Sequence, residues 1–188
     1  MSKVIISLIG YGGSGKTTTS QRLQKEYGFY VFTFSNALRS YADKHRIQLN
    51  TRADYARVHA RIIDKYGVGY LPSLALSTGA DLVCVDNLSS VVYADYFRKL
   101  GGKEIVFDCP VEVRFSRTRD SSDSAKYPST LETFIQNERD DEAVEIGQGV
   151  RIEPTKLIGG ADYHVDASLP LPAVLERVDN IIDQILSS

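Results

Sequence analysis

The 188-residue chain has few cysteines, no long apolar run and almost no net charge. Two cysteines, Cys84 and Cys109, are too few for a disulfide framework, and without an export signal they favour a reducing, cytoplasmic location. No run of about 18 apolar residues exists, so we expect no transmembrane helix and no membrane partner. The apolar run at 4–9 is too short for a signal sequence. With 22 Lys and Arg against 24 Asp and Glu, the formal charge is −2, which argues against a dedicated binder of nucleic acid.

Histidine is also scarce, and its spacing predicts no metal site. Histidine ligands of structural metals cluster at short spacings, whereas the three histidines of this chain are far apart. We expect structural or surface positions for His45, His59 and His164.

Strand-like and helix-like segments alternate along the chain. The run Val4–Ile9 is apolar at almost every position, as in a strand buried on both faces of a parallel sheet. Predicted strands cover 4–9, 30–34, 82–86, 104–108 and 162–166. Predicted helices cover 17–27, 36–46 (capped by Ser35 or Asn36), 53–66, 90–100, 111–119 and 131–143, with a last one from 172. The alternation predicts one α/β domain over residues 1–188, a three-layer sandwich with a five-stranded parallel sheet.

The segment after the first strand carries the clearest chemical signal. Residues 10–17, with the sequence GYGGSGKT, fit the Walker A pattern G-x-x-x-x-G-K-[ST] between a strand and a helix. Glycines let the backbone N–H groups curl around phosphate oxygens, and the start of the helix adds its positive dipole end. The pattern predicts Mg·ATP binding by Gly12, Gly13, Ser14, Gly15, Lys16, Thr17 and Thr18, with Lys16 on the β- and γ-phosphates and the Thr17 hydroxyl on Mg²⁺.

Asp86 ends the third predicted strand. A carboxylate there fits a Walker B-type residue, which would hold Mg²⁺ directly or through water. An ordinary strand-end Asp that caps the next helix fits the same position, and the sequence leaves both interpretations open.

Arginines lie where a phosphoryl-transfer enzyme would need cations. The γ-phosphate charge has to be neutralised while donor and acceptor are held in line. Arg57 and Arg61, at i and i+4 of one helix, fit a solvated face as well as a substrate contact. We expect substrate binding by Ser35, Arg39, Arg57, Arg61 and Asp86, and catalytic roles for Lys16, Arg117, Arg119 and Arg139.

These features resemble the P-loop nucleoside monophosphate kinases and their relatives, among them deoxynucleoside monophosphate kinases and dephospho-coenzyme A kinase. The segment 34–39, FSNALR, looks like the place where such kinases carry a Leu-Arg pair that grips the acceptor phosphate. The segment 111–119 looks like the helix that leads into their lid, and Glu138–Asp140 like the helix that leaves it. The resemblance implies acceptor-binding helices at about 35–80, a small mobile lid at about 117–140, and a donor base near 147–160.

Two departures from the family pattern bear on the acceptor. Many relatives carry Asp-Gly-x-Arg after the third strand, whereas this chain has Asp86-Asn87-Leu88-Ser89 and no Arg. Dephospho-coenzyme A kinases usually have an Asp after the second strand, where this chain has Ser35-Asn36. A phosphate acceptor is already an anion and needs no general base. The sequence therefore favours a (deoxy)nucleoside monophosphate acceptor.

Three interpretations stay open. The first is a Mg-ATP-dependent nucleotide kinase that acts on a small-molecule nucleotide as a monomer or homodimer. The second is a kinase similar to dephospho-coenzyme A kinase. The third is a regulatory P-loop NTPase or a nucleotide-binding module without transfer activity. The sequence decides neither between ATP and GTP as donor nor the identity of the acceptor.

Overall fold

A five-stranded parallel sheet forms the centre of the computed structural model, which describes residues 3–120, 127–142 and 144–187. Its strands are β1 (Val4–Ile9), β2 (Tyr30–Phe32), β3 (Leu82–Val85), β4 (Lys103–Asp108) and β7 (Tyr163–Asp166). They lie in the order β2-β3-β1-β4-β7, and every neighbouring pair is parallel. The predicted α/β fold class is therefore confirmed.

Helices cover both faces of the sheet. They are α1 (Lys16–Tyr27), α2 (Phe34–Lys44), α3 (Arg52–Tyr66), α4 (Tyr70–Leu76), α5 (Val91–Arg98), α6 (Val111–Arg119), α7 (Leu131–Asp141), α8 (Pro154–Ile158) and α9 (Leu171–Leu186). No helix among the described residues is long and apolar enough to cross a membrane.

The pleat of β1 separates two apolar clusters of the core, and a third lies between α2, α3 and α4. Ile5 and Ile9 pack on one face with residues of α3, α4, α5 and α8. Ile6 and Leu8 pack on the other face with residues of α1 and α9. Successive side chains of a strand point to opposite faces, so the almost continuous apolar run of β1 is what a strand covered on both sides requires.

Several elements differ from the sequence prediction. The second strand ends at Phe32 because Thr33, not Ser35 or Asn36, caps α2; its Oγ1 accepts a hydrogen bond from the Asn36 N–H at 3.2 Å. Helix α4 and helix α8 were not predicted. Neither was the antiparallel hairpin of β5 (Glu145–Gly147) and β6 (Val150–Arg151), whose strands are too short to give a period-2 pattern.

We predict that the core contact of α1 contributes several kcal/mol to the free energy of unfolding. Leu23 is fully buried at 0% exposure, so Leu23→Ala removes apolar contacts and leaves a cavity, at a cost of about 3 to 5 kcal/mol. Leu100 is 49% exposed, and Leu100→Ala is the matched control, with an expected change within about 0.5 kcal/mol. Urea unfolding measures both. Equal losses in the two variants would contradict the packing described here.

Candidate active site

A cavity of about 1220 Å³ lies around the loop that follows β1. The phosphate-binding loop, residues 10–15, joins β1 to α1 and forms its centre. Gly13 has a φ of +78°, and a Cβ on it would lie 2.6 Å from the Arg114 carbonyl oxygen. Only glycine fits this close approach, so the loop can press against α6 while its backbone curls around the cavity.

Lys16 is folded back over this loop. Its Nζ donates hydrogen bonds to the carbonyl oxygens of Gly10 at 2.7 Å and Tyr11 at 2.8 Å. Burial lowers the pKa of Lys16 to about 8, although the Asp86 carboxylate acts in the opposite direction. The ammonium group is thus held inside the curl of the loop, where an anionic ligand would favour its charged form.

Asp86 follows β3 and faces the start of α1. Its Oδ2 accepts a hydrogen bond from Ser20 Oγ at 2.9 Å, and Ser20 Oγ also lies 3.0 Å from the Thr17 carbonyl oxygen. Oδ1 of Asp86 is buried and has no hydrogen-bond partner within the described part of the chain. Burial raises the pKa of this carboxyl, and the Ser20 hydrogen bond and Lys16 oppose the shift. A carboxylate oxygen without a partner, in a cavity that the exposed Thr17 also lines, suits a hard cation such as Mg²⁺.

Arg114 connects α6 to the loop and to α7. This buried guanidinium forms a two-pronged ion pair with Glu138, in which Nη2 lies 2.9 Å from Oε2. Its Nη1 also donates to the Gly12 carbonyl oxygen at 3.1 Å, and the guanidinium lies 5.0 Å from the centre of the Tyr11 ring. Sequence reasoning placed Arg114 on the helix entering the lid but gave it no role of its own. Three neighbouring arginines on one helix look alike until the packing is known.

Tyr11 adds a second connection between the loop and its surroundings. Its hydroxyl donates to Glu142 Oε2 at 3.0 Å and shares a hydrogen bond of 2.7 Å with the Thr155 hydroxyl. Tyr127 lies above the same loop, since a Cβ on Gly12 would be 3.5 Å from Tyr127 Cε1. The described part of the predicted lid therefore contacts the phosphate-binding loop directly. Residues 121–126 of that lid lie outside the described residues.

The predicted lid arginines differ in position. Arg117 lines the cavity, and its guanidinium donates to the carbonyl oxygens of Ala167 at 2.6 Å and Leu169 at 3.3 Å. Arg119 and Arg139 are exposed and do not line this cavity in the described chain. The catalytic roles expected for Arg117, Arg119 and Arg139 all stay predictions.

Aromatic rings line the cavity on the side of α2, α3 and α5. The rings of Phe34 and Tyr93 stack with centres 4.8 Å apart and planes 11° apart. The Tyr93 hydroxyl lies 2.5 Å from His59 Nε2. Burial lowers the pKa of His59 to about 4, so its ring is neutral at neutral pH. The sequence analysis expected a structural or surface position for His59, whereas the structure places it in the lining of the cavity.

The predicted substrate-binding residues are only partly brought together. Ser35 and Asp86 line the cavity. Arg39 lies outside its lining and is held by Tyr55, whose hydroxyl accepts from Arg39 Nε at 2.9 Å. Arg57 and Arg61 are both exposed on the outer face of α3 and, among the residues described, are not part of the cavity wall.

Arg52 is the arginine of α3 that the prediction missed. It lines the cavity, and its Nη1 lies 2.5 Å from both carboxylate oxygens of Asp141 on α7. The cavity face of α3 consists of Arg52, Tyr55, Ala56 and His59, at spacings i, i+3, i+4 and i+7. That stripe is visible in the sequence and was the signal available for finding it.

The segment after α7 takes a different place from the one expected. β5 packs against α3, and β6 and α8 pack against α5. Ile146 and Ile152 therefore line the cavity on the side of the aromatic rings, and Glu153 N–H donates to the Ser89 carbonyl oxygen at 2.7 Å. The expectation of a donor base near 147–160 stays a prediction. The lining beside Arg117 comes from Ala167, Leu171 and Val174.

We predict that His59 makes the fold sensitive to acid. The unfolded chain binds this proton near the ordinary histidine pKa of about 6.5, whereas the folded chain binds it only near 4, so stability is lost as the pH falls through that window. At pH 5 the loss relative to pH 8 amounts to about 2 kcal/mol. In His59→Gln, urea unfolding at the two pH values should give a difference smaller by this amount. His164→Gln, at an exposed position, controls for the substitution itself, and an unchanged difference in His59→Gln would refute the assignment.

Comparisons with known proteins agree with this fold. A family model described as an AAA domain matches residues 6–145. No curated protein matches the chain. Three solved structures share its fold over nearly their whole length. They are TT1252 from Thermus thermophilus (16% identity, 100% of both chains, TM-score 0.67), the Mycobacterium tuberculosis APS kinase CysC in complex with AMPPNP and APS (18%, 100% of this chain and 99% of that one, 0.57), and shikimate kinase from Acinetobacter baumannii in complex with shikimate (18%, 99% and 94%, 0.57).

Identities below 20% carry the fold alone, whereas the family model covers most of the chain. The resemblance to P-loop kinases inferred from the Walker A loop is confirmed. The chain belongs to the AAA-domain family, and its fold is of the P-loop kinase-like type.

Proposed function

We propose that this chain is a Mg-ATP-dependent phosphotransferase that passes the γ-phosphate to a small nucleotide, a nucleoside or deoxynucleoside monophosphate. The observation that carries the proposal is the continuity of one cavity, which extends from Lys16 in the phosphate-binding loop to the stacked rings of Phe34 and Tyr93. A kinase needs two ligands side by side in one water-excluding space.

The donor would bind across the loop and the start of α1. Its phosphates would take the backbone N–H groups of residues 12–18 and displace the Lys16 ammonium from its carbonyl partners. We assign its base to the apolar slot of Ala167, Leu171 and Val174, because Arg117 is fixed beside that slot by two carbonyl oxygens. A flat guanidinium can stack on a flat base.

Mg²⁺ would be held by Thr17 and Asp86. The Thr17 hydroxyl and the unpartnered Asp86 Oδ1 are oxygen ligands of the kind that this cation prefers. When bound, the ion would neutralise phosphate charge and polarise the transferred group. Ser20 would orient the Asp86 carboxylate through its hydrogen bond to Oδ2.

The acceptor would bind among the rings. Stacked aromatic side chains suit a planar base, and the neutral His59 adds a polar group without adding charge. The sequence carries no carboxylate at Thr33–Asn36 to remove a hydroxyl proton. A phosphate acceptor, which needs no such base, fits this wall better than the hydroxyl of dephospho-coenzyme A.

A coupled assay of ADP release tests the proposal. With Mg·ATP and a panel of nucleoside and deoxynucleoside monophosphates, one member should strongly stimulate release. Stimulation by dephospho-coenzyme A alone would replace the acceptor class. Slow release indifferent to every acceptor would favour a regulatory NTPase. The cytoplasmic location and the monomeric or homodimeric state stay predictions.

Lys16→Met should abolish transfer. Loss of the ammonium removes the cation that neutralises the transferred phosphoryl group, and we expect kcat to fall by at least about 100-fold. Lys25→Met is the matched control, since Lys25 lies on the same helix with its side chain exposed. Circular dichroism should show both variants folded. Full activity of Lys16→Met would disprove the assignment of the donor site.

ATP affinity should fall as the pH rises from 7 to 9. The free Lys16 has a pKa of about 8, and phosphate binds its charged form. At pH 9 only about a tenth of the free protein holds this charge, so the Kd for Mg·ATP should rise about tenfold between the two values. Fluorescence titration with a labelled nucleotide measures the change. Lys25→Met should keep the wild-type dependence, and a flat profile in the wild type would contradict the role of Lys16.

A further inference from the structure

The N-terminus of α5 opens into the acceptor side of the cavity. Ser89, Ser90 and Tyr93, which surround this end of the helix, all line the cavity. The first N–H groups of any helix have no acceptor within that helix, and they carry its positive dipole end. These N–H groups, for which the described residues provide no backbone acceptor, therefore lie next to the aromatic wall.

Ser90 is the N-cap of α5 but does not cap it. Its side chain makes no capping hydrogen bond, although its backbone has the extended conformation usual for a cap. Ser90 is 3% exposed, and its Oγ has no hydrogen-bond partner in residues 3–120, 127–142 and 144–187. A buried hydroxyl without a partner costs free energy, so this one is expected to have a ligand in the working enzyme.

The carbonyl oxygen of the neighbouring Ser89 is already hydrogen-bonded within the protein. Ser89 O accepts the hydrogen bond from Glu153 N–H, so the segment 144–155 satisfies the acceptor that would otherwise repel an anion. Ser89 also stands where the Asp-Gly-x-Arg pattern of related kinases has its Arg. The chain thus has neutral donors and a helix dipole at a position where the pattern leads one to expect a cation.

We propose that the first turn of α5, with Ser90 Oγ, binds the phosphate of the acceptor. The inference rests on the proposed kinase function and deepens it, because it makes the acceptor a phosphate monoester rather than a neutral alcohol. Tyr93 lies on the same turn, and its ring stacks on Phe34. A ligand with its phosphate at Ser90 would therefore have its planar group beside that stack, as a nucleoside monophosphate would.

The pair Ser90→Asn and Ser90→Asp tests the proposal. Both residues cap helices as well as serine does, and they differ in charge alone. Asp would repel the acceptor phosphate, so its KM for the stimulating monophosphate should exceed that of the Asn variant at least tenfold. The two variants should have similar melting temperatures. Equal KM values for the acceptor in the two variants would overturn the proposal, since a purely structural cap tolerates either residue.

Direct binding separates this inference from the kinase assignment. Inorganic phosphate can be titrated into the ADP-saturated, full-length wild type while backbone amide NMR shifts are followed. Saturable shifts at residues 90–93, lost in Ser90→Asp and kept in Ser90→Asn, would support the anion site even if no monophosphate stimulates ADP release. The absence of such shifts in the wild type would overturn the site, whatever the activity assay finds.

Discussion

The buried guanidinium of Arg114 has to be both neutralised and hydrogen-bonded, and the groups that do this come from three parts of the candidate site. Glu138 belongs to α7, the Gly12 carbonyl to the phosphate-binding loop, and the Cys109 carbonyl to the segment after β4. Removing one partner of a buried ion pair typically costs about 3 to 5 kcal/mol. The loop, α6 and α7 are therefore held together by a charge that none of them could bury alone.

A second set of contacts connects the donor side of the cavity to the acceptor side. Tyr11 in the loop reaches Glu142 and Thr155, and Glu153 nearby bonds to Ser89 at the start of α5. Two hydrogen bonds, joined by the chain segment 153–155, thus connect the loop proposed to bind the donor phosphates with the residues proposed to bind the acceptor phosphate. In-line transfer depends on the separation and orientation of the two phosphates, and a loss of about 1 Å in positioning can cost two orders of magnitude in rate.

The sequence is informative where a short local pattern decides the structure. Glycine spacing between a strand and a helix identified the loop at 10–17, and the alternation of strand-like and helix-like segments predicted the parallel sheet around it. The stripe that contains Arg52 is visible in the sequence, but that it faces the cavity depends on how α3 packs, so the sequence alone favoured Arg57 and Arg61. The position of the segment after α7 depends on contacts with α3 and α5 that no local pattern records, so the expectation of a donor base near 147–160 could not take that packing into account.

The two outer strands of the main sheet are short, although the inner strand β3, with four residues, is no longer than β7. β2 has three residues and β7 has four, against six in each of β1 and β4. The unpaired backbone groups along a sheet edge are the template on which another chain can add a strand, and short edges offer few of them. The strands are thus longest beside the phosphate-binding loop, which needs rigid support, and both edges, where a long strand would invite aggregation, are short.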